Sequence, residues 1–570
     1  MREATMRWTA FAAFAGALLL APGAMPAQQA GGQPGQGHPQ MFETGNMCVA
    51  CHNGMVTPSG EDISIGKDWQ TSMMANSARD PYWQASIRRE TLMHPSASEA
   101  IQDECSTCHM PMSRYRAKVG GAQGEIFTHL PFIHGDQGAV KAATRQNVLA
   151  ADGVSCTVCH QIQPDGLGTE ESFVGGFVID STTAWDQREI FGPFAVDTGR
   201  TRLMHSASAY TPRQGSHIQE SELCASCHTL YTHTLNEEGE SIGELPEQVP
   251  YLEWLNSDYR DEQSCQDCHM PVVEQEVAVT GVLGQPRDSV NRHVFRGGNF
   301  FMQRIFARYG DELGVQATSQ QFSTAARRTI DHLETSSARM RLDSVSVRDQ
   351  RLTATVAVTN LAGHKLPTAY PSRRAWIHLT VRDRNGRVVF ESGALNPDGS
   401  ISGNDNDRNP RAFEPHYDQI AREEEVQIYE AIMVDPDGTV TTGLLEAIRF
   451  TKDNRILPKG FTKGDVPEDV AVQGRAAGDG DFTGSGDRVR YSVDVAGAEG
   501  PFSVQAELWY QPISYRWAHN LEQQDAEEID RFVRYYESMS ESSGTILARA
   551  GAETDSGGSA VRTDGTRPRK

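Results

Sequence analysis

The spacing of apolar residues changes several times along the chain. Residues 11–21 form a short apolar run behind Arg2 and Arg7, and small residues follow up to position 27. That layout predicts a cleavable export signal over 1–27, because the run is too short to span a bilayer. Residues 28–40, rich in Gly, Gln and Pro, read as a flexible linker. From 41 to 300 apolar positions are scattered among polar loops and short helical patterns, and continuous hydrophobic segments are scarce. Residues 318–338 then set Phe322, Ala326, Ile330 and Leu333 along one side, the period of an amphipathic helix. The stretch 301–339 is accordingly read as connecting helices.

After it the period drops to two. Leu352, Ala354, Val356 and Val358 alternate with polar residues, and "WIHLTVRDRNGRVVFESG" sets two strand-like runs around Asn385-Gly386, a hairpin signal. "RVRYSVDV" and "FSVQAELWY" alternate again, so 340–513 is predicted to be an all-β sandwich. Ile529, Phe532, Val533 and Tyr536 mark a C-terminal helix within 514–544. The Gly, Ser, Thr and Arg of 545–570 read as a disordered tail.

Charge narrows the partners. The formal net charge is -23 with no basic stripe, which argues against nucleic acid or anionic lipid and is compatible with docking to a basic patch on another protein.

The chemistry lies in the cysteines. All ten fall in five copies of C-x-x-C-H. Cys48 and Cys51 precede His52, Cys105 and Cys108 precede His109, and Cys156 and Cys159 precede His160. Cys224 and Cys227 precede His228, and Cys265 and Cys268 precede His269. A disulfide framework has no use for a histidine after every pair. A zinc site needs a second pair close by, whereas successive motifs lie roughly 40 to 70 residues apart. Two cysteines on one helical turn can each form a thioether to the same haem, and the next residue then offers its imidazole to the iron. The pattern predicts five covalently bound c-type haems. Buried macrocycles would also explain why 41–300 carries so little apolar sequence. The predicted fold class is a mainly α/loop pentahaem cytochrome domain plus a C-terminal all-β sandwich.

Five irons with two axial ligands each need five further donors. His293, His134, His205, His217, His233, His94 and His129 are the candidates, and His38 in the linker is the weakest. Met74, in "DWQTSMMANSARDP", is a candidate thioether ligand that would raise the potential of the first haem. His364, in "AGHKLPT", is the histidine of the strand-rich region that could reach a haem across the boundary. "DGSISGNDNDRN" carries Asp398, Asp405 and Asp407, but without the spacing of a calcium loop, and reads as a solvated loop.

The stretches "DGVSCTVCH", "SELCASCHTLYTH" and "RHVFRGGNFF", with "CHMPM" and "CHMPV", resemble multihaem c-type cytochromes related to the nitrifier tetrahaem cytochrome and hydroxylamine oxidoreductase. "GHKLPTAYPSRRAW", "VQIYEAIMVD" and "KDNRILPKGF" resemble the β-sandwich appended to a bacterial branch of that family. The resemblance covers roughly residues 45 to 515. It implies closely packed haems, mostly with two histidine ligands, and an electron-transfer role. It also implies a distal ligand at His293, and a histidine in relatives near where Met73 and Met74 stand here. The expectation is an exported protein passing electrons through a chain of haems in periplasmic or extracellular respiration. Redox proteins would be its partners, no membrane span would remain after signal cleavage, and an oligomer or filament is possible. The competing reading is an oxidoreductase acting on a small nitrogen or sulfur species at an open haem. Some relatives mark such a haem by replacing the motif histidine with lysine, and all five motifs here keep histidine.

Overall fold

The computed structural model describes residues 40–132, 144–484, 486–554 and 560–562. The export signal 1–27, the linker up to residue 39 and His134 lie outside the described residues.

Helix α1 (Pro81–Met93) starts at Asp80, whose carboxylate accepts the Tyr82 and Trp83 amides, with proline at the first helical position. Pro95 ends it, and the chain turns into α2 (Ser98–His109). Helix α3 (Thr198–Ser208) is capped by Asp197, and α4 (Ser221–His228) runs into the hairpin β1 (Leu230–Leu235) and β2 (Ser241–Gln248). Two short helices follow, α5 (Pro250–Leu255) and α6 (Cys265–His269). Apolar clusters between these elements are small, such as Met55 and Ile63 with Val273 and Val277.

Helix α7 (Phe300–Leu313) leads to α8 (Ser319–Ser336), which opens with a Thr318–Gln321 capping box. Ten strands follow. They are β3 (Ala338–Arg348), β4 (Arg351–Asn360), β5 (Arg374–Arg382), β6 (Val388–Ser392), β7 (Gln419–Ile420), β8 (Ile428–Tyr429), β9 (Asp487–Asp494), β10 (Ser503–Gln511), β11 (Thr545–Thr554) and β12 (Ala560–Arg562). One sheet has the order β7-β9-β4-β3; the other runs β6-β5-β10-β11-β12, with β8 also paired to β5. The Asn385-Gly386 hairpin forms between β5 and β6, Gly386 taking φ +78°.

The alternating residues of both sheets face one core. Leu352, Ala354 and Val356 lie opposite Val493, Tyr491 and Val489, and they share a hydrophobic cluster with Ile377, Leu379, Val504 and Leu508 of the other sheet. Strand β5 is buried on both sides, because Trp376 points the other way, into Ile401, Val426 and Ile428. The main cluster does not stop at the strands. It takes in Phe300, Phe306 and Phe322 from α7 and α8, and Ile529 and Phe532 from α9 (Glu527–Glu537). Tyr82 and Ala85 of α1 belong to it as well. The boundaries expected at 300 and 340 therefore mark changes of secondary structure and not breaks in the interior.

Two expectations need correction. The strand region does not end at 513, and 545–570 is not disordered throughout: β11 pairs with β10 along Ser503–Tyr510, and Leu547, Ala550 and Ala552 are buried. Small side chains on its inner face hide the alternation. The "DGSISGNDNDRN" loop is not simply solvated either, since Asp407 is buried at 2.8 Å from the buried Arg374 guanidinium. Among the described residues no helix is long and apolar enough to cross a membrane.

Candidate functional site

Every C-x-x-C-H motif stands on helical backbone. The second, fourth and fifth end helices α2, α4 and α6. In the first and third, the amides of His52 and His160 donate to the Cys48 and Cys156 carbonyls at 3.0 and 3.1 Å. Offsets of three and four residues then put both thiols and the imidazole of each motif on one helix face. All ten thiols are free. Those of Cys48 and Cys156, Cys108 and Cys227, and Cys224 and Cys265 interact directly. The first motif thus adjoins the third, the second the fourth, and the fourth the fifth.

The motif histidines share a second feature. Nδ1–H donates to a backbone carbonyl in His52 (Val279, 2.7 Å), His109 (Ser77, 3.2 Å), His160 (Phe191, 2.5 Å) and His269 (Arg296, 2.6 Å). This fixes the tautomer and leaves Nε2 as the lone pair, the usual arrangement of a metal-ligating histidine. Burial holds His109 and His269 down to about 4, and lowers His160 and His228 too, so these imidazoles are neutral at pH 7. Burial also pushes the Cys159 thiol up to about 12.

Two motif histidines face another histidine across a fixed distance. His160 and His293 lie with ring centres 6.3 Å apart and planes within 19°. His269 and His364 lie 6.2 Å apart and within 14°. Direct stacking brings Trp83 to 4.4 Å from His109, while other near-parallel rings such as Tyr115 and Phe177 stand 6.1 Å apart. Two imidazoles bonded to opposite sides of one metal at roughly 2.0 Å each have centres about 6.3 Å apart. Both pairs therefore fit an iron bound on two faces.

The other proposed ligands occupy varied positions. His205 lies on α3, its Nδ1 paired with the Thr211 hydroxyl. Arg200 of the same helix binds the Leu283 carbonyl, in the loop whose Thr280 and Gly281 bind the Cys51 carbonyl. His205 thus belongs to the surroundings of the first motif. His233, on β1, is close enough to stabilise the charge of Glu104, the neighbour of Cys105. His94 is buried at the end of α1 with Nε2 unpartnered. His217 is buried, its Nε2 donating to the Ile162 carbonyl at 3.0 Å and its ring edge-on to Phe191.

His129 departs from expectation. Its Nδ1 meets Asn147 Oδ1 at 2.7 Å and its Nε2 meets Ser113 Oγ at 3.3 Å, so no ring nitrogen is left for iron. Met74 lies in the turn after Trp69, where its carbonyl accepts the Val154 amide at 2.9 Å. Three residues further on, Ser77 Oγ binds the His109 carbonyl, so this turn straps the second motif to the third. His332, on α8, was not among the expected ligands. It sits beside His269 and His364, and its Nδ1 is buried without a partner. Its place within the connecting helices, outside 41–300, is what separates it from the other candidates.

No protein-family model and no curated protein matches the chain. A penta-haem cytochrome c552 from Thermochromatium tepidum is similar in structure, with a TM-score of 0.51 at 16% identity over 90% of this chain and 100% of that one. The chain has the fold of a multihaem c-type cytochrome.

Proposed function

We propose that the protein is an exported electron-transfer cytochrome whose five C-x-x-C-H motifs each hold a covalent haem. The observation that carries this is the His160–His293 pair, two nearly parallel imidazoles 6.3 Å apart with a haem-attachment motif on one side. When bound, haem supplies a one-electron iron couple whose potential the protein sets through its axial ligands and surroundings. The chain's own residues do the rest. Ten thiols anchor, and the carbonyls of Val279, Ser77, Phe191 and Arg296 orient four of the imidazoles. The direct thiol contacts between motifs favour a connected array running first–third and second–fourth–fifth, with Cys159 beside Cys227 joining the two.

His205 and His233 are the proposed second ligands for the first and second motifs, on the strength of their neighbours. Histidine on both faces keeps an iron low-spin and closed to substrate, which favours a conduit over a catalyst. The acidic surface suits a basic redox partner outside the cytoplasm. Intact mass of the purified protein tests the first step: five haem increments on the mature chain are expected, and an unmodified mass would end the proposal. Low-temperature electron paramagnetic resonance tests the second, since a high-spin iron responsive to nitrite or hydroxylamine would favour catalysis.

A further inference from the structure

The loop between β4 and β5 is held against the motif region by bonds from several directions. Glu253 of α5, fully buried, accepts the Lys365 amide at 3.1 Å and the Thr368 hydroxyl, and pairs with Arg455 at 2.8 Å. The Lys365 ammonium is buried against Asp453 at 2.6 Å, and Asp453 pairs in turn with Arg455 at 2.7 Å. Asn360 Nδ2 donates to the His364 carbonyl at 2.7 Å, and Leu366 and Ile456 exchange two backbone bonds of 2.9 Å. Tyr259, from the segment before the fifth motif, donates to the Leu361 carbonyl at 2.9 Å. Gly363 lies so close that an added Cβ would stand 3.2 Å from Trp254 and from Tyr259.

All of this fixes the His364 imidazole. Its Nδ1–H donates to the Lys365 carbonyl at 2.9 Å, so Nε2 carries the lone pair. The ring then faces His269 at 6.2 Å and within 14°, matching the His160–His293 pair formed by unrelated segments.

We propose that His364 is the second axial ligand of the haem held by Cys265, Cys268 and His269, so that the strand-rich region completes a redox centre. This rests on the reading of the motifs as haem sites. Binding uses the Nε2 lone pair and transfers no atom. It also gives a reason for four buried charges at Glu253, Lys365, Asp453 and Arg455: they hold one imidazole in register across two segments far apart in sequence.

The test uses full-length holoprotein with His364→Ala, His364→Met and His332→Ala. Intact mass of the wild type comes first; absence of haem there refutes the underlying reading and this proposal with it, whereas the ligand tests, made with haem present, can refute this proposal alone. With haem present, oxidised His364→Ala should lose one low-spin resonance, gain one high-spin ferric signal, and recover the low-spin form on adding imidazole. His364→Met should keep the iron six-coordinate and raise the potential of one haem only. His332→Ala should leave the low-spin set unchanged. A full low-spin complement in His364→Ala, or loss of one resonance in His332→Ala, overturns the assignment. Should His364→Ala fail to accumulate, His364→Met decides alone, since an unshifted set of potentials counts against the proposal.

Discussion

Replacing Glu253 by alanine removes one carboxylate and leaves three donors facing its place. The Lys365 amide and the Thr368 hydroxyl lose an acceptor inside the protein. A buried donor left unsatisfied costs about 1–3 kcal/mol. The Arg455 guanidinium loses one of two carboxylates but keeps Asp453 at 2.7 Å, so its charge is not orphaned. Removing one member of a buried ion pair costs about 3–5 kcal/mol when the other is stranded. With Arg455 only half stranded and water able to enter, the sum should come to about 4 kcal/mol. Because the groups are shielded from solvent, added salt should change the figure little.

Guanidinium unfolding of holoprotein at neutral pH, followed by far-ultraviolet circular dichroism, measures the loss. Glu253→Gln is the informative companion. Its carbonyl can still accept from Lys365, but its amide would confront Arg455, and about 2 kcal/mol should be lost. If Glu253→Ala is within about 1 kcal/mol of wild type, the ion network does not fasten the loop and the reasoning from buried polar satisfaction fails. The visible spectrum of the same variant gives a second reading, because a released loop frees His364.

Three further outcomes follow from particular residues. Gly153 has φ +60° and an added Cβ would lie 2.7 Å from the Met74 carbonyl and 2.8 Å from Ser77 Oγ. Gly153→Ala should cost about 3 kcal/mol, against about 1 kcal/mol for Gly386→Ala, where φ is +78° but the space is open, and equal losses would contradict this. Burial pushes the Asp487 carboxyl up to about 7, although Tyr429 donates to it. Its folded value is raised, so its contribution is complete below about pH 4 and lost as pH rises through about 7; the stability gap between wild type and Asp487→Asn should narrow by at most about 4 kcal/mol over that span in urea titrations. His293→Ala should convert one haem from low-spin to high-spin while leaving the haem count by mass unchanged, and an unaltered low-spin set would remove His293 from the ligands.

The motif residues stand out in sequence because the pattern is local: two thiols and an imidazole within one helical turn. Pairing could not. His293 and His364 reach their partners through loops whose course depends on contacts such as Arg296 with Cys268 and Lys365 with Glu253. The resemblance singled out His293 but left His129 among the candidates, and Asn147 and Ser113 at its two ring nitrogens set His129 apart. The strands were legible where one face is wet, as in β10. They were not legible in β11, whose buried positions include Ala550 and Ala552, residues too small to signal an inner face. In β5 the alternation is real but hidden, since a second apolar cluster covers Trp376.

The interior is filled in two ways, and the two are interleaved. The strand-rich part buries long alternating runs in one large cluster, as any domain of its size must. The motif part has only small clusters, and its thiols and imidazoles gather where a core would otherwise be. Yet Tyr82, Ala85 and Val249 of the motif part lie inside the strand core, while His364 of the strand part faces the motif histidine His269. Separating the chain between 300 and 340 would strip an apolar contact from one side and a histidine from the other. The strand-rich part is therefore not an ornament on a cytochrome: each part supplies the other with a group of the kind it lacks.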